Sequence, residues 1–76
     1  MNLATVEPNR RAVVVAIRED RHLSRFRALG ILPGASIEVV GRTSSRGVLV
    51  KVDDTRLVLG QDLAEKISCT YSQTAE

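Results

Sequence analysis

Residues 25–34 read Arg25-Phe26-Arg27-Ala28-Leu29-Gly30-Ile31-Leu32-Pro33-Gly34, and no other stretch restricts the fold as much. Gly30 can take the left-handed conformation that ends a helix, and Pro33-Gly34 presets a type II turn. A helix stop and a chain reversal therefore share five residues, and the strand-like Ser36-Ile37-Glu38-Val39-Val40 follows directly. Ile31 and Leu32, between the two signals, are held on a rigid corner. Such a corner either anchors a core or presents a surface.

The chain has 76 residues, enough for one domain with a radius of gyration of about 11 Å. The domain is expected at residues 1–72, with residues 73–76 a polar tail that frays. A core this small is marginal unless a metal, disulfides, a closed barrel or a partner supports it. The single cysteine rules out an intramolecular disulfide and points to a reducing compartment, so the expected location is cytoplasmic. The longest uninterrupted apolar run, residues 12–17, holds six residues, against the roughly 20 of a membrane helix. The first seven residues lack the basic and apolar regions of a signal peptide. A net charge of +2 is too slight to make nucleic acid an obvious ligand.

Along the chain, Glu7-Pro8-Asn9-Arg10 reads as a turn, because proline presets φ and asparagine tolerates a positive one. The β-branched run at residues 12–17 reads as a strand buried on both faces, or nearly so. Asp20 offers an N-cap, and Leu23, Phe26 and Leu29 recur at helical spacing, giving one helix of about ten residues. Ile37, Val39 and Gly41 alternate with Glu38, Val40 and Arg42 as a half-buried strand, and residues 43–47 form a hairpin loop. Residues 48–52 and 55–59 are strands joined through Asp53-Asp54. Residues 60–65 allow one helical turn. In the last strand, residues 66–71, Ile67, Cys69 and Tyr71 point inward and Ser68 and Thr70 outward. The fold class is therefore mainly β: a small five-stranded antiparallel barrel with one short helix after the first strand, the helix covering an open side and barrel closure removing exposed edges.

Three segments, together spanning nearly the whole chain from Leu3 to Tyr71, carry a family resemblance. They are Leu3 with the Glu7-Pro8 turn before a valine-rich strand, the Ala28-Leu29-Gly30-Ile31-Leu32-Pro33-Gly34 corner before Ile37-Glu38-Val39-Val40, and Thr55-Arg56-Leu57-Val58-Leu59-Gly60 leading through Leu63-Ala64 to Ile67. In this order they resemble ferrous iron transport protein A, the FeoA family. The resemblance implies an SH3-like barrel and a non-enzymatic cytosolic accessory of ferrous iron uptake. It acts by docking on a membrane GTPase iron transporter, FeoB-like, and is peripheral to the membrane only through that partner. The same fold also serves as the C-terminal domain of metal-dependent repressors of the diphtheria toxin repressor type. With no helix-turn-helix segment attached, a free-standing module is expected. Asn9 stands where the family usually has a glycine, and Arg10-Arg11 makes that turn basic.

The candidate docking surface is the corner with its basic rim: Arg25, Arg27, Leu29, Gly30, Ile31, Leu32, Pro33 and Gly34. Leu29 ends the apolar face of the helix and so competes for the core. Ile31 and Leu32 are consecutive and cannot easily both point inward. A groove beside such a corner would suit an extended or helical peptide. Arg18, Arg21 and Arg25 share a helix face if the helix begins one turn early, a stripe suited to an acidic partner or an anionic leaflet. A merely solvated face is the competing reading, since Glu19 and Asp20 dilute it.

Other chemistry finds little support in the residues. Apart from Met1, His22 and Cys69 are the only soft ligands, far apart and without paired spacing, so no metal site and no cofactor are expected within the chain. Cys69 reads as a small buried hydrophobe, and a homo-oligomer sharing a metal between copies is left open. His22 lies two residues from Ser24, on a different helix face, so the pair makes no nucleophile and base. No glycine precedes a Lys-Ser or Lys-Thr pair in phosphate-loop spacing, so GTPase chemistry belongs to the partner. Phe26 and Tyr71 are the only aromatics, too few for a proline-peptide groove or a base-stacking platform.

Overall fold

Among the described residues three non-glycines take positive φ, and each sits at a chain reversal: Asn9 at 68°, Arg46 at 69° and Asp53 at 55°. Reversals this tight specify an antiparallel sheet. A computed structural model of the chain describes residues 1–18, 21 and 23–72. A 3-10 turn at Leu3–Thr5 precedes β1 (Arg10–Ile17), α1 (Leu23–Ala28), β2 (Ser36–Arg42), β3 (Val48–Val52), β4 (Thr55–Leu59), α2 (Gln61–Ala64) and β5 (Ile67–Tyr71). The strands form one sheet in the order β4-β3-β2-β1-β5, every pair antiparallel. The expected mainly-β, five-stranded architecture is borne out, and the radius of gyration is 11.1 Å.

Asn9 occupies the left-handed region that the first turn requires, a conformation asparagine adopts more readily than most residues. Its N–H donates to the Val39 carbonyl at 2.7 Å, tying the turn to β2. The Val52–Thr55 pair closes a two-residue loop, where Asp53 supplies the positive φ of a primed turn. Gly47 is required for space, because a Cβ there would stand 2.6 Å from Val58 Cγ1 and 2.9 Å from Thr43 Oγ1.

Two register shifts bend the sheet into a barrel. One falls between Val14 and Ala16 opposite β5, the other between Val39 and Gly41 opposite β3. An extra residue at each lets a strand bend and twist. The first also corrects the expectation that β1 is buried on both faces: Ala12 and Val14 are buried, whereas the extra residue Val15 is 55% exposed.

Inward-facing side chains of all five strands join Phe26 of α1 and Ala64 of α2 in one apolar cluster. The ladder itself does not close, since β4 and β5 end the sheet. Here the expected removal of edges is corrected. Residues 1–6 partly cover the outer edge of β5: Asn2 bridges Ser68 and the Met1 carbonyl accepts the Cys69 N–H at 2.8 Å. Leu3 and Val6 are wholly buried. Arg42 Nη2 donates to the carbonyls of Ala4 and Val6, the latter at 2.9 Å, clamping this segment to β2. At the other end of β5, Arg10 stacks 3.8 Å from the Tyr71 ring centroid, and the Tyr71 hydroxyl accepts the Glu7 N–H at 3.1 Å. The proposed N-cap Asp20 and the tail at 73–76 lie outside the described residues.

Candidate functional site

The corner at 29–34 is built by two nested backbone motifs. At the end of α1, the Gly30 N–H donates to the Arg27 carbonyl at 3.0 Å and the Ile31 N–H to the Phe26 carbonyl at 2.8 Å. This crossed pair, with Gly30 at φ 88°, is the Schellman arrangement, which couples the residue after the glycine to the one five positions earlier by apolar contact. Those residues are Ile31 and Phe26, both in the core. The second motif is the type II turn: the Ala35 N–H donates to the Leu32 carbonyl at 2.9 Å and Gly34 has φ 94°. The second motif is stitched to β1, where the Val14 carbonyl accepts from the Gly34 N–H at 2.8 Å and the Val14 N–H donates to the Ala35 carbonyl at 2.9 Å.

This geometry divides the predicted surface. Ile31 is fully buried, so its side chain is withdrawn from the docking set. Leu32 is 42% exposed and Leu29 37%. Pro33 and Gly34 are exposed and Gly30 is half-buried. Leu29 was expected to compete for the core, but the helix ends at Ala28, and the turn carries Leu29 off the apolar face. The helix is also shorter than the expected ten residues. Arg18 lies outside it and donates its N–H to the Lys66 carbonyl at 3.0 Å, which dissolves the predicted Arg18, Arg21 and Arg25 stripe.

Arg25 and Arg27 lie exposed in the last turn of α1, where the C-terminal end of a helix favours cations. They flank Phe26 on opposite sides. A shallow cleft of about 430 Å³ opens next to the corner, lined by Gly30, Leu32, Pro33 and Gly34 and, from the opposite side, by Val52 and Asp53. The β3–β4 hairpin abuts the corner closely: a Cβ on Gly30 would lie 3.4 Å from Val52 Cγ1 and 3.9 Å from Asp53 Oδ2. Sequence reasoning missed Asp53, since the pattern around it signals only a turn and the contact spans more than twenty residues of chain.

Cys69 is buried as expected. Burial raises its thiol pKa above the ordinary 9.0, and the nearby N-terminal amino group offsets part of the rise. Among the described residues, no group of three histidine, cysteine or acidic side chains is placed to hold a metal ion; His22 lies outside them. No helix among them is long and apolar enough to cross a membrane.

Compared with known families, residues 1–71 match the FeoA domain. The chain belongs to the FeoA family. Among solved structures, FeoA of Chlorobium tepidum is 25% identical, with a TM-score of 0.83 over 100% of this chain and 74% of that one. FeoA of Stenotrophomonas maltophilia, crystallised with zinc and described as an SH3 domain protein, is 27% identical, with a TM-score of 0.75 over 91% and 88%. The SH3-like fold is shared. T. acidophilum IdeR carries the same fold in part of its length, with 22% identity and a TM-score of 0.77 over 95% of this chain and 34% of that one. No curated protein matches the chain.

Proposed function

We propose that this FeoA-family protein is a non-enzymatic cytoplasmic accessory of ferrous iron uptake that docks on a FeoB-like membrane GTPase transporter. The observation that carries the reading is the exposed apolar pair Leu29 and Leu32 on a corner whose backbone is tied to both α1 and β1. A surface already held in one conformation loses little entropy when a partner covers it. The Stenotrophomonas relative has been put forward as a ferrous iron transport activating factor, in keeping with this role. Docking alters transport only by favouring one transporter state, and each tenfold preference moves that equilibrium by about 1.4 kcal/mol.

The test is a pull-down from detergent-solubilised membranes of the source cell, using tagged wild-type and Leu32→Glu proteins. Wild type should recover the transporter GTPase and Leu32→Glu should not. Equal recovery by both removes the corner as the contact; failure of wild type removes the function. The fold shared with IdeR favours one second reading, a stand-alone relative of metal-dependent repressor C-terminal domains that mediates protein contact or metal-linked regulation. That reading requires capture of a helix-turn-helix protein and a metal-dependent gel shift.

A further inference from the structure

We propose that the outer edge of β4 receives an extended segment of a partner protein, paired antiparallel as an added strand, with an acidic side chain opposite Arg56 and an apolar one opposite Val58. This surface differs from the corner cleft, which no residue of β4 lines, and the inference does not depend on the docking role proposed above. The sheet ends at β4. The two-residue loop makes Val52 and Thr55 a hydrogen-bonded pair, and alternation along an antiparallel ladder then turns the N–H and C=O of Arg56 and Val58 away from β3. Among the described residues, none of these groups has a hydrogen-bond partner. The opposite edge is treated differently, since residues 1–6 partly cover β5 through the bridge of Asn2 to Ser68 and the bond from Cys69 to Met1. β4 also pairs with β3 without a register shift and contains no proline, so neither a bulge nor a missing N–H blunts it.

The chemistry of the segment follows from the register. Arg11, Glu38, Lys51 and Arg56 stand opposite one another in turn across β1, β2, β3 and β4, so the outer face carries a row of charges in the order plus, minus, plus, plus. Residues directly opposite on adjacent strands share a face, and like charges there repel. Glu38 sits between Arg11 and Lys51 in that row. Arg56 is exposed, faces Lys51 across the ladder and has no ion-pair partner among the described residues. A carboxylate on an added strand would fill the next place in the row. The following row on the same face is apolar: Val58, 54% exposed, stands opposite the half-buried Leu49. Between these positions Leu57 turns to the other face, packed against the core and half-buried, and an apolar residue would cover it. Along its own direction, antiparallel to β4, the segment therefore reads apolar, apolar, acidic. A second copy of this chain does not fit. Centred on Arg56 it sets like charges opposite, and no register within residues 55–59 brings Arg56 a carboxylate.

The test is an NMR titration of the isotopically labelled full chain with a short capped peptide that carries two valines and then a glutamate at its centre, flanked by serine and glycine. A second peptide has lysine in place of the glutamate, and a third has the glutamate amide nitrogen methylated, which removes a ladder hydrogen bond. Expected are shifts and slowed exchange at the amides of Arg56 and Val58, with main-chain bonds supplying the affinity and loss of binding on methylation. The lysine peptide should bind about 5-fold more weakly, the scale of one cross-strand charge pair, and the difference should shrink with added salt. Arg56→Glu, at an exposed position, should invert the preference in favour of the lysine peptide, its folding checked by the dispersion of the amide spectrum. Equal binding of the glutamate and lysine peptides by wild type, shifts confined to other residues, or no binding at all overturns the proposal. Concentration-dependent shifts at Arg56 and Val58 without peptide assign the edge to a second copy and overturn it as well.

Discussion

The division of the corner into an inner Ile31 and an outer Leu32 makes a quantitative prediction, because neighbouring residues of equal size should differ sharply in what they contribute. Ile31 has no exposed surface and sits with Phe26 in the core, so Ile31→Ala leaves a cavity in packed surroundings and should cost about 3 kcal/mol. Leu32 is 42% exposed. Full burial of a leucine contributes about 1.5–3 kcal/mol, and roughly half of that applies here, so Leu32→Ala should cost about 1 kcal/mol. A domain of this length holds about 4–11 kcal/mol in total. The Ile31 change should therefore lower Tm by about 12–24 °C, the Leu32 change by about 4–8 °C. The chain has no tryptophan and one tyrosine, so urea unfolding is best followed by far-ultraviolet circular dichroism, with an unchanged m-value confirming a stability effect. If Ile31→Ala costs no more than Leu32→Ala, the corner is oriented the other way and Ile31 is the docking side chain.

Gly47→Ala should destabilise by about 2 kcal/mol through the clash with Val58 and Thr43. Adding Val58→Ala should recover part of that in a double-mutant cycle of urea midpoints; strict additivity would contradict the contact. Arg42→Ala frees the carbonyls of Ala4 and Val6. It should cost about 1 kcal/mol and speed amide exchange at Val6, whose N–H bonds Leu3 at 3.5 Å. The raised Cys69 pKa means that the unfolded chain loses the thiol proton first. Its stability contribution is therefore full below the ordinary thiol value and is lost as pH rises through 9.0 toward the folded value. Between about pH 7 and about pH 10 wild type should lose more stability than Cys69→Ala, and a thiol reagent should label the native protein slowly. Rapid native labelling would refute the burial.

What the chain determined by itself is local. Gly30, Gly34 and Asn9 take the positive φ that their neighbours demand, because backbone sterics act within a few residues. The hairpin at Asp53-Asp54 and the alternation along β2, β3 and β5 follow from period-two burial, which is equally short-ranged. The inward side of Ile31 was also within reach, since a Schellman stop pairs the residue after its glycine with an apolar partner, here Phe26. Tertiary structure decided the rest. In the valine run of β1 the side chains are alike, so nothing in the residues marks Val15 as the one pushed outward; the register against β5 does so. The corner is held against β1 because Val14 bonds Gly34 and Ala35, and Leu29, just past the end of α1, stays at the surface. Asp53 reaches the cleft because β3 pairs with β2 and returns its hairpin to the corner. Those placements depend on contacts between residues distant in sequence, and such contacts exist only once the sheet has formed.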